Sequence, residues 1–270
     1  LEQGPRQDAL LYIREHFCIS MQQRGEPAYP FSSGDLLSPE ALKPVLAKQA
    51  EQLGHPNSIV TGTLFAKRYS VLVMGLVAAF SLFDCILDIK PDNIRFKLTK
   101  EAEMEYQILQ SPIRMLPAEK VELRSIAAAD FASALFLEHI KPVFAAVSVY
   151  TGAKLPHMWS LVSHNLQNLF LRLELQCLTE EAASRRRMLS ADRELLLAPL
   201  LHTPSAVFEN PLALKLRSFS HETRQDESFY LRRHCCLAYR LSLDGEAHGN
   251  CLTCPKATVQ ERLAKWAEEC

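Results

Sequence analysis

The sequence predicts a mainly α protein with a small β component: a helical body followed by a short irregular C-terminal segment. Three observations predict it. Helical periodicity dominates up to about residue 202, capping residues followed by proline recur along the chain, and only 9 glycines occur in 270 residues. So few glycines suit helices better than a β-sandwich or a phosphate-cradling loop. With 48% hydrophobic residues and no low-complexity tract, the chain can bury a core without disulfide staples. The balance of 30 Lys+Arg against 31 Asp+Glu leaves no basic surplus for a phosphate backbone, so no nucleic-acid partner is expected.

Each element has its own signal. Ser38-Pro39-Glu40 places a capping hydroxyl, a proline and an acidic group at a helix start. Gly54 is placed to close that helix, and Pro44 to kink it or delay its start. A long apolar helix follows over 58–83. Its stretch 69–83 carries no charge, but it falls short of the roughly 20 residues that span a bilayer, so it is expected to be buried. Residues 85–89, the turn Lys90-Pro91-Asp92-Asn93 and residues 94–98 read as strand, turn, strand. Helices are expected over 117–139, with Ala127, Phe131, Leu135 and Phe136 on one face, and then over 142–150 and 156–178. Thr179-Glu180-Glu181 caps another that ends in Arg185, Arg186 and Arg187, and Ser190 opens the next. Thr203-Pro204 and Asn210-Pro211 suggest two short helices, and 229–233 an extended segment. A soft boundary near residue 200 divides a helical body, 1–200, from a C-terminal segment, 201–270. Residues 1–14 carry charge and lack an apolar stretch, so the expectation is a cytoplasmic protein, touching at most the cytoplasmic face of the inner membrane.

The 8 cysteines divide into two groups. Cys18, Cys85 and Cys177 lie among apolar neighbours and read as small core hydrophobes, while Cys270 is terminal. Cys235 and Cys236 are adjacent, and after fourteen residues come Cys251 and Cys254, with two residues between them. In a reducing compartment four thiols this close are metal ligands before they are disulfides. Spacing alone leaves zinc and an iron–sulfur cluster both open, with a redox dithiol pair as a third reading. Neighbouring side chains of an extended segment point in opposite directions, which is awkward for one zinc and easier when four sulfurs serve two irons. Arg232, Arg233, Arg240 and Lys256 surround the four thiols, and His234 adjoins them.

The string Arg232-Arg233-His234-Cys235-Cys236-Leu237-Ala238-Tyr239-Arg240-Leu241, closed by Cys251-Leu252-Thr253-Cys254, resembles the C-terminal signature of the ferric-siderophore reductase (FhuF-type) family. The resemblance extends to the segment from Pro142-Val143 to Met158-Trp159-Ser160, to Glu209-Asn210-Pro211-Leu212 and to the apolar helix over 69–83. It implies that Cys235, Cys236, Cys251 and Cys254 hold a [2Fe–2S] cluster. It further implies a one-electron reductase of ferric siderophores, expected to be of hydroxamate type, fed by a reduced ferredoxin, a flavin or an NAD(P)H-dependent reductase. Arg232, Arg233, Arg240, Lys256 and Trp159 are then candidates to dock the chelate or the donor, and His157 and His164 could line its pocket. The chain departs from the family in two places. The spacing between the cysteine pairs is commonly ten residues rather than fourteen, and the additional residues fall in a 243–250 loop with Gly245, Gly249 and one more possible donor, His248. Leu161 also follows Trp159-Ser160 where a smaller or polar residue is expected. A zinc site made by the four cysteines, with a structural or interaction role, is the alternative.

Overall fold

The computed structural model describes residues 3–100, 103–109, 112–116, 121–180, 182–202, 207–221, 224–243, 246–247 and 249–268. The fold is 58% helical with 13% strand in small sheets, the mainly α class with a small β component that the sequence predicts. Helix α1 (Gln3–Phe17) leads into β1 (Ile19–Met21) and β2 (Phe31–Ser32), followed by α2 (Pro39–Gln52) and α3 (Ser58–Phe83). Short strands β3 (Cys85–Ile86), β4 (Ile94–Leu98), β5 (Met104–Ile108) and β6 (Arg114–Met115) come next. Helices α4 (Val121–Ala132) and α5 (Lys141–Thr151) are joined by a π-helical stretch, Ser133–Ile140, and α6 (Leu155–Gln176) and α7 (Ala183–Leu196) complete the body.

Helix α3 is the axis of the molecule. Apart from Lys67 and Arg68 it carries no charge, as suits a helix surrounded by protein, and α1, α2, α5, α6 and α7 all pack on it. Asn57 caps it by accepting from Val60 N–H at 3.0 Å. Two glycines allow its close approaches. A Cβ on Gly62 would lie 2.8 Å from Thr151 Cβ, and one on Gly75 would lie 3.0 Å from Phe17 Cβ. Ser58–Phe83 and Leu123–Thr151 are both long and apolar enough to cross a membrane, with 78% and 44% of their apolar windows buried inside the protein. For α3 that burial is the expected core placement.

Several elements differ from expectation. Pro44 lies inside α2 without delaying its start at Pro39, and the Ser38 hydroxyl donates to the Glu40 carboxylate at 2.6 Å rather than capping a backbone N–H. The hairpin expected over 85–98 does not form. Cys85–Ile86 pairs with Arg114–Met115, while β4 pairs with β2 and β5 in a four-stranded sheet of order β1-β5-β4-β2. Pro91–Asn93 instead winds into a 3-10 turn between two separate sheets, because the pairing partners lie far along the chain. Ile94, Phe96 and Leu98 alternate into the core, where Phe96 and Tyr106 meet Tyr69 of α3 edge-on. The helices expected over 117–139 and 142–150 run together through the π-helical stretch, with Pro142 in the first turn of α5, and residues 117–120 lie outside the described residues.

The two helices expected around Arg185–Arg187 and Ser190 are one, α7. Its arginines begin the helix rather than end it, because a buried carboxylate recruits Arg185. Arg185 holds Asp84 at 2.6 and 2.8 Å, and Asp84 also pairs with Arg124, which forks onto Asp192 at 2.7 and 3.0 Å. This network joins the end of α3 to α4 and α7. Burial raises the Asp84 carboxyl, but the hydrogen bond and charge of Arg185, with Arg124 behind it, bring it below its ordinary value. Asp192 is fully buried and is raised, burial outweighing Arg124.

The C-terminal part is more ordered than expected. Strands β7 (Leu200–His202) and β8 (Val207–Glu209) form a hairpin, and Thr203-Pro204 lies outside the described residues. Asn210-Pro211 makes a turn, not a helix: the Asn210 side chain donates to the carbonyls of Leu196 and Ala198 and accepts from Leu212 N–H. Strands β9 (Ser218–His221) and β10 (Arg224–Tyr230) pair antiparallel, so only the first part of the extended 229–233 segment is strand. After β11 (Ser242–Leu243) and β12 (Glu246–Ala247) the chain ends in α8 (Val259–Glu268), which composition had hidden in an irregular tail. Trp266 of α8 packs on Phe219 and Phe229 at 5.8 and 5.2 Å between ring centroids.

Candidate metal centre

Three elements hold the cysteine lobe in place. At the end of β10, Tyr230 N–H donates to Asn168 Oδ1 at 2.8 Å and its carbonyl accepts from His164 Nε2 at 2.9 Å, both from α6. Arg262 of α8 clamps the Cys-x-x-Cys turn by donating to the carbonyls of Leu252, Cys254 and Ala257. A small apolar cluster of Leu53, Val60, Leu64 and Leu161 receives Cys236, Ala238 and Leu241. Val60 and Leu64, with Lys67 one turn further along α3, form a stripe at i, i+4, i+7 facing this lobe. The expected C-terminal segment is therefore seated on α3 and α6.

Cys235-Cys236 lies between a bend at Arg233-His234 and the 3-10 turn Ala238–Arg240. Leu237 takes a left-handed φ of 67°, costly for a branched residue, and its N–H lies 3.4 Å from Cys235 Sγ. Cys235 Sγ is 3.7 Å from Cys254 Sγ, and Arg232 donates from one guanidinium nitrogen to both Cys236 Sγ and Cys251 Sγ at 3.0 Å. Cys235, Cys236 and Cys251 are also close enough to shift one another's titration. The Cys-x-x-Cys turn is closed by Cys254 N–H donating to the Cys251 carbonyl at 2.9 Å, and Asn250 Oδ1 lies 3.6 Å from Cys254 Sγ.

Electrostatics concentrate negative charge on one sulfur. Cys236 is held far below the ordinary thiol value by the hydrogen bonds of Cys235 and Cys251, with Arg232 and Lys67 adding positive charge against the opposing effect of burial. Cys235 and Cys251 are pushed up in turn, first because each donates to Cys236 and then by burial. Thiolates, not thiols, bind metals.

Among the described residues, no group of three or more His, Cys, Asp or Glu side chains is placed to hold a metal ion. One pair of the four has the spacing of two ligands on a common metal. Two sulfurs on one tetrahedral metal at about 2.3 Å lie about 3.8 Å apart, and the Cys235–Cys254 separation is 3.7 Å. A buried cation already compensates the negative charge such a centre would bring. The four sulfurs also fall into two pairs, each taking one member from the adjacent cysteines and one from the Cys-x-x-Cys turn.

The remaining candidates are dispersed. Arg233 is exposed, and Arg240 and Lys256 flank the Tyr239 hydroxyl at 3.3 and 2.8 Å. Trp159 lies in the core, 7% exposed and edge-on to Phe144, so its ring is placed for packing and not for docking. His157 stacks on His234 at 4.2 Å, and His234 Nδ1 lies 3.0 Å from Ser160 Oγ. His164 is buried, and burial, with Arg232 nearby, lowers it to about 4. Gly245 and His248 lie outside the described residues, as does Cys270. Cys85 and Cys177 are buried as expected, whereas Cys18 is exposed with φ 54°, because the chain turns there from α1 into β1. Lys67, Asn250 and Arg262 went unread in the sequence. Only Lys67 left a signal, its helical register with Val60 and Leu64.

No family model matches the chain, and no curated protein matches it in sequence.

Proposed function

We propose that Cys235, Cys236, Cys251 and Cys254 hold a [2Fe–2S] cluster and that the protein is a ferric-siderophore reductase, passing single electrons to Fe(III) in an iron-carrying chelate. The observation that carries this reading is the gathering of the four cysteines, with Cys235 Sγ 3.7 Å from Cys254 Sγ and Arg232 donating to Cys236 and Cys251 from a buried position. The same cysteine segment resembles the ferric-siderophore reductase family, which gives the reading its reaction. A [2Fe–2S] cluster supplies one electron at a time at a potential set by charge and by hydrogen bonds to sulfur.

The chain's own residues would contribute binding and field. Arg232 neutralises thiolate charge and orients Cys236 and Cys251. Cys235 and Cys251 are half-buried rather than sealed, which keeps the path to a docked partner short. The Tyr239, Arg240 and Lys256 face offers positive charge on the Cys235 side for an acidic donor protein such as a reduced ferredoxin. One electron converts Fe(III) to Fe(II), which hard oxygen donors bind far more weakly, so no acid or base need act. The cytoplasm supplies the reductants this reading requires.

The test is anaerobic purification followed by absorption and EPR spectroscopy, with Cys235→Ser and Cys254→Ser alongside. The expected result is about two irons per chain, a cluster signal lost in both variants, and Fe(II) trapped from a ferric chelate after reduction by dithionite. A colourless protein with about one zinc per chain would replace this reading with a structural zinc site on the same four cysteines.

A further inference from the structure

Beside the cysteine lobe lies a concavity of about 190 Å³ whose walls include Lys215, Arg217, Arg232 and Arg233. None of the residues lining it is acidic, and among the described residues none of the four cations is in an ion pair. Four cations are thus gathered at one point of a chain whose net charge is -1. The fold brings them together: Leu231 N–H donates to the Arg217 carbonyl at 2.8 Å, placing the residues before β9 against those after β10.

Arg232 connects this concavity to the sulfurs. It is only 9% exposed, and its guanidinium donates to Cys236 and Cys251. Pro255, next to Cys254, forms part of the same wall. A ligand seated here would lie against the side chain that touches two of the four sulfurs.

Size decides what fits. Pockets that enclose a whole drug-sized ligand run to roughly 300–1,000 Å³, so this one takes an arm of a chelate and not its body. We propose that the concavity binds a free carboxylate of an anionic ferric chelate, so that the protein prefers carboxylate-bearing chelates over neutral tris-hydroxamates. The inference rests on the ferric-reductase reading for its biological sense, and it narrows the hydroxamate expectation to chelates carrying negative charge.

The test uses redox-inert gallium(III) so that binding is read without electron transfer. Titration calorimetry compares gallium(III) citrate, which is anionic, with neutral gallium(III) tris(acetohydroxamate). Lys215 and Arg217 are both exposed, so the double variant Lys215→Glu/Arg217→Glu is expected to fold, with circular dichroism as the check and Lys43→Glu as a distant control. The citrate complex is expected to bind about 10-fold more tightly than the neutral one, and the double variant to lose about 10-fold for citrate alone. Should the charge-reversed double variant misfold, Lys215→Gln/Arg217→Gln is expected to show a smaller loss in the same direction. Equal affinity for the two complexes, or unchanged citrate affinity in a folded variant, overturns the proposal. Selective binding by a protein that carries no cluster keeps the docking site and removes the reductase reading. A cluster that reduces ferric chelates without this selectivity does the reverse.

Discussion

Arg232 is the residue on which the chemistry of the cysteine lobe turns. Its guanidinium donates to two sulfurs, is buried, and stands between the thiols and a basic concavity. Positive charge beside the sulfurs stabilises the more negative, reduced state and so raises the reduction potential, whereas reducing a tightly held ferric chelate favours a low one. An anion docked beside Arg232 would offset that charge when the substrate is bound. Arg232→Gln is expected to lower the midpoint potential by roughly 60 mV, the one-electron equivalent of about 1.4 kcal/mol. Arg232→Lys should recover part of the shift by restoring charge without the fork. Potentiometric titration followed by EPR reads both, and an unchanged potential in Arg232→Gln would show that the hydrogen bonds do not reach the cluster. The sequence had placed Arg232 near the four cysteines, but it could not separate this buried arginine from exposed Arg233 beside it.

Among the elements, the body is held by two kinds of contact. One is apolar, around α3, and its pattern can be read from a run with no charge. The other is the Asp84–Arg124–Asp192 network with Arg185, which locks α3, α4 and α7. Arg124 is 8% exposed and Asp192 fully buried, so removing the cation leaves uncompensated charge in the interior. Arg124→Ala is expected to cost about 3–5 kcal/mol in urea unfolding, whereas a loss below about 1 kcal/mol would mean the network is solvated. Nothing in the local sequence announced this network, because its members lie forty to a hundred positions apart and isolated charges in a helix ordinarily face water. The misplaced boundaries within 85–98 and 183–196 have the same origin. Local turn and cap signals are real, but pairing partners and buried counter-charges elsewhere in the chain decide whether they are used.

For the fold in its entirety, one buried histidine sets a pH limit. His139 in the π-helical stretch is fully buried, with Nδ1 donating to the Ile89 carbonyl at 2.6 Å and Nε2 2.7 Å from the Tyr69 hydroxyl, itself 2.6 Å from Ser33 Oγ. It thereby joins α3, the segment before β4 and the π-helical stretch in one polar contact. Burial is the chief cause of its low value, about 4 against an ordinary 6.5. A folded-state value depressed in this way favours the neutral ring. Its contribution is full above about pH 6.5 and is lost as pH falls towards 4, amounting to roughly 3 kcal/mol. Unfolding free energy should therefore fall between pH 6.5 and 4 in the wild type and less steeply in His139→Gln. Equal slopes would move the acid sensitivity to other groups.

Periodicity, composition and spacing were enough to establish the class of fold, the burial of α3 and the grouping of four cysteines within the last thirty-six residues. All three signals act over short stretches of chain. What those cysteines face came from the assembled fold alone. Lys67 and the Val60–Leu64 stripe come from α3, Asn168 and His164 from α6, and Arg262 from α8, and together they set the charge, the burial and the backbone course of the lobe. Burial and electrostatics depend on distance in space, and the residues that supply them here are far apart along the chain. Spacing could bring the four thiols into view, but only folding could place a buried arginine between them and a basic concavity.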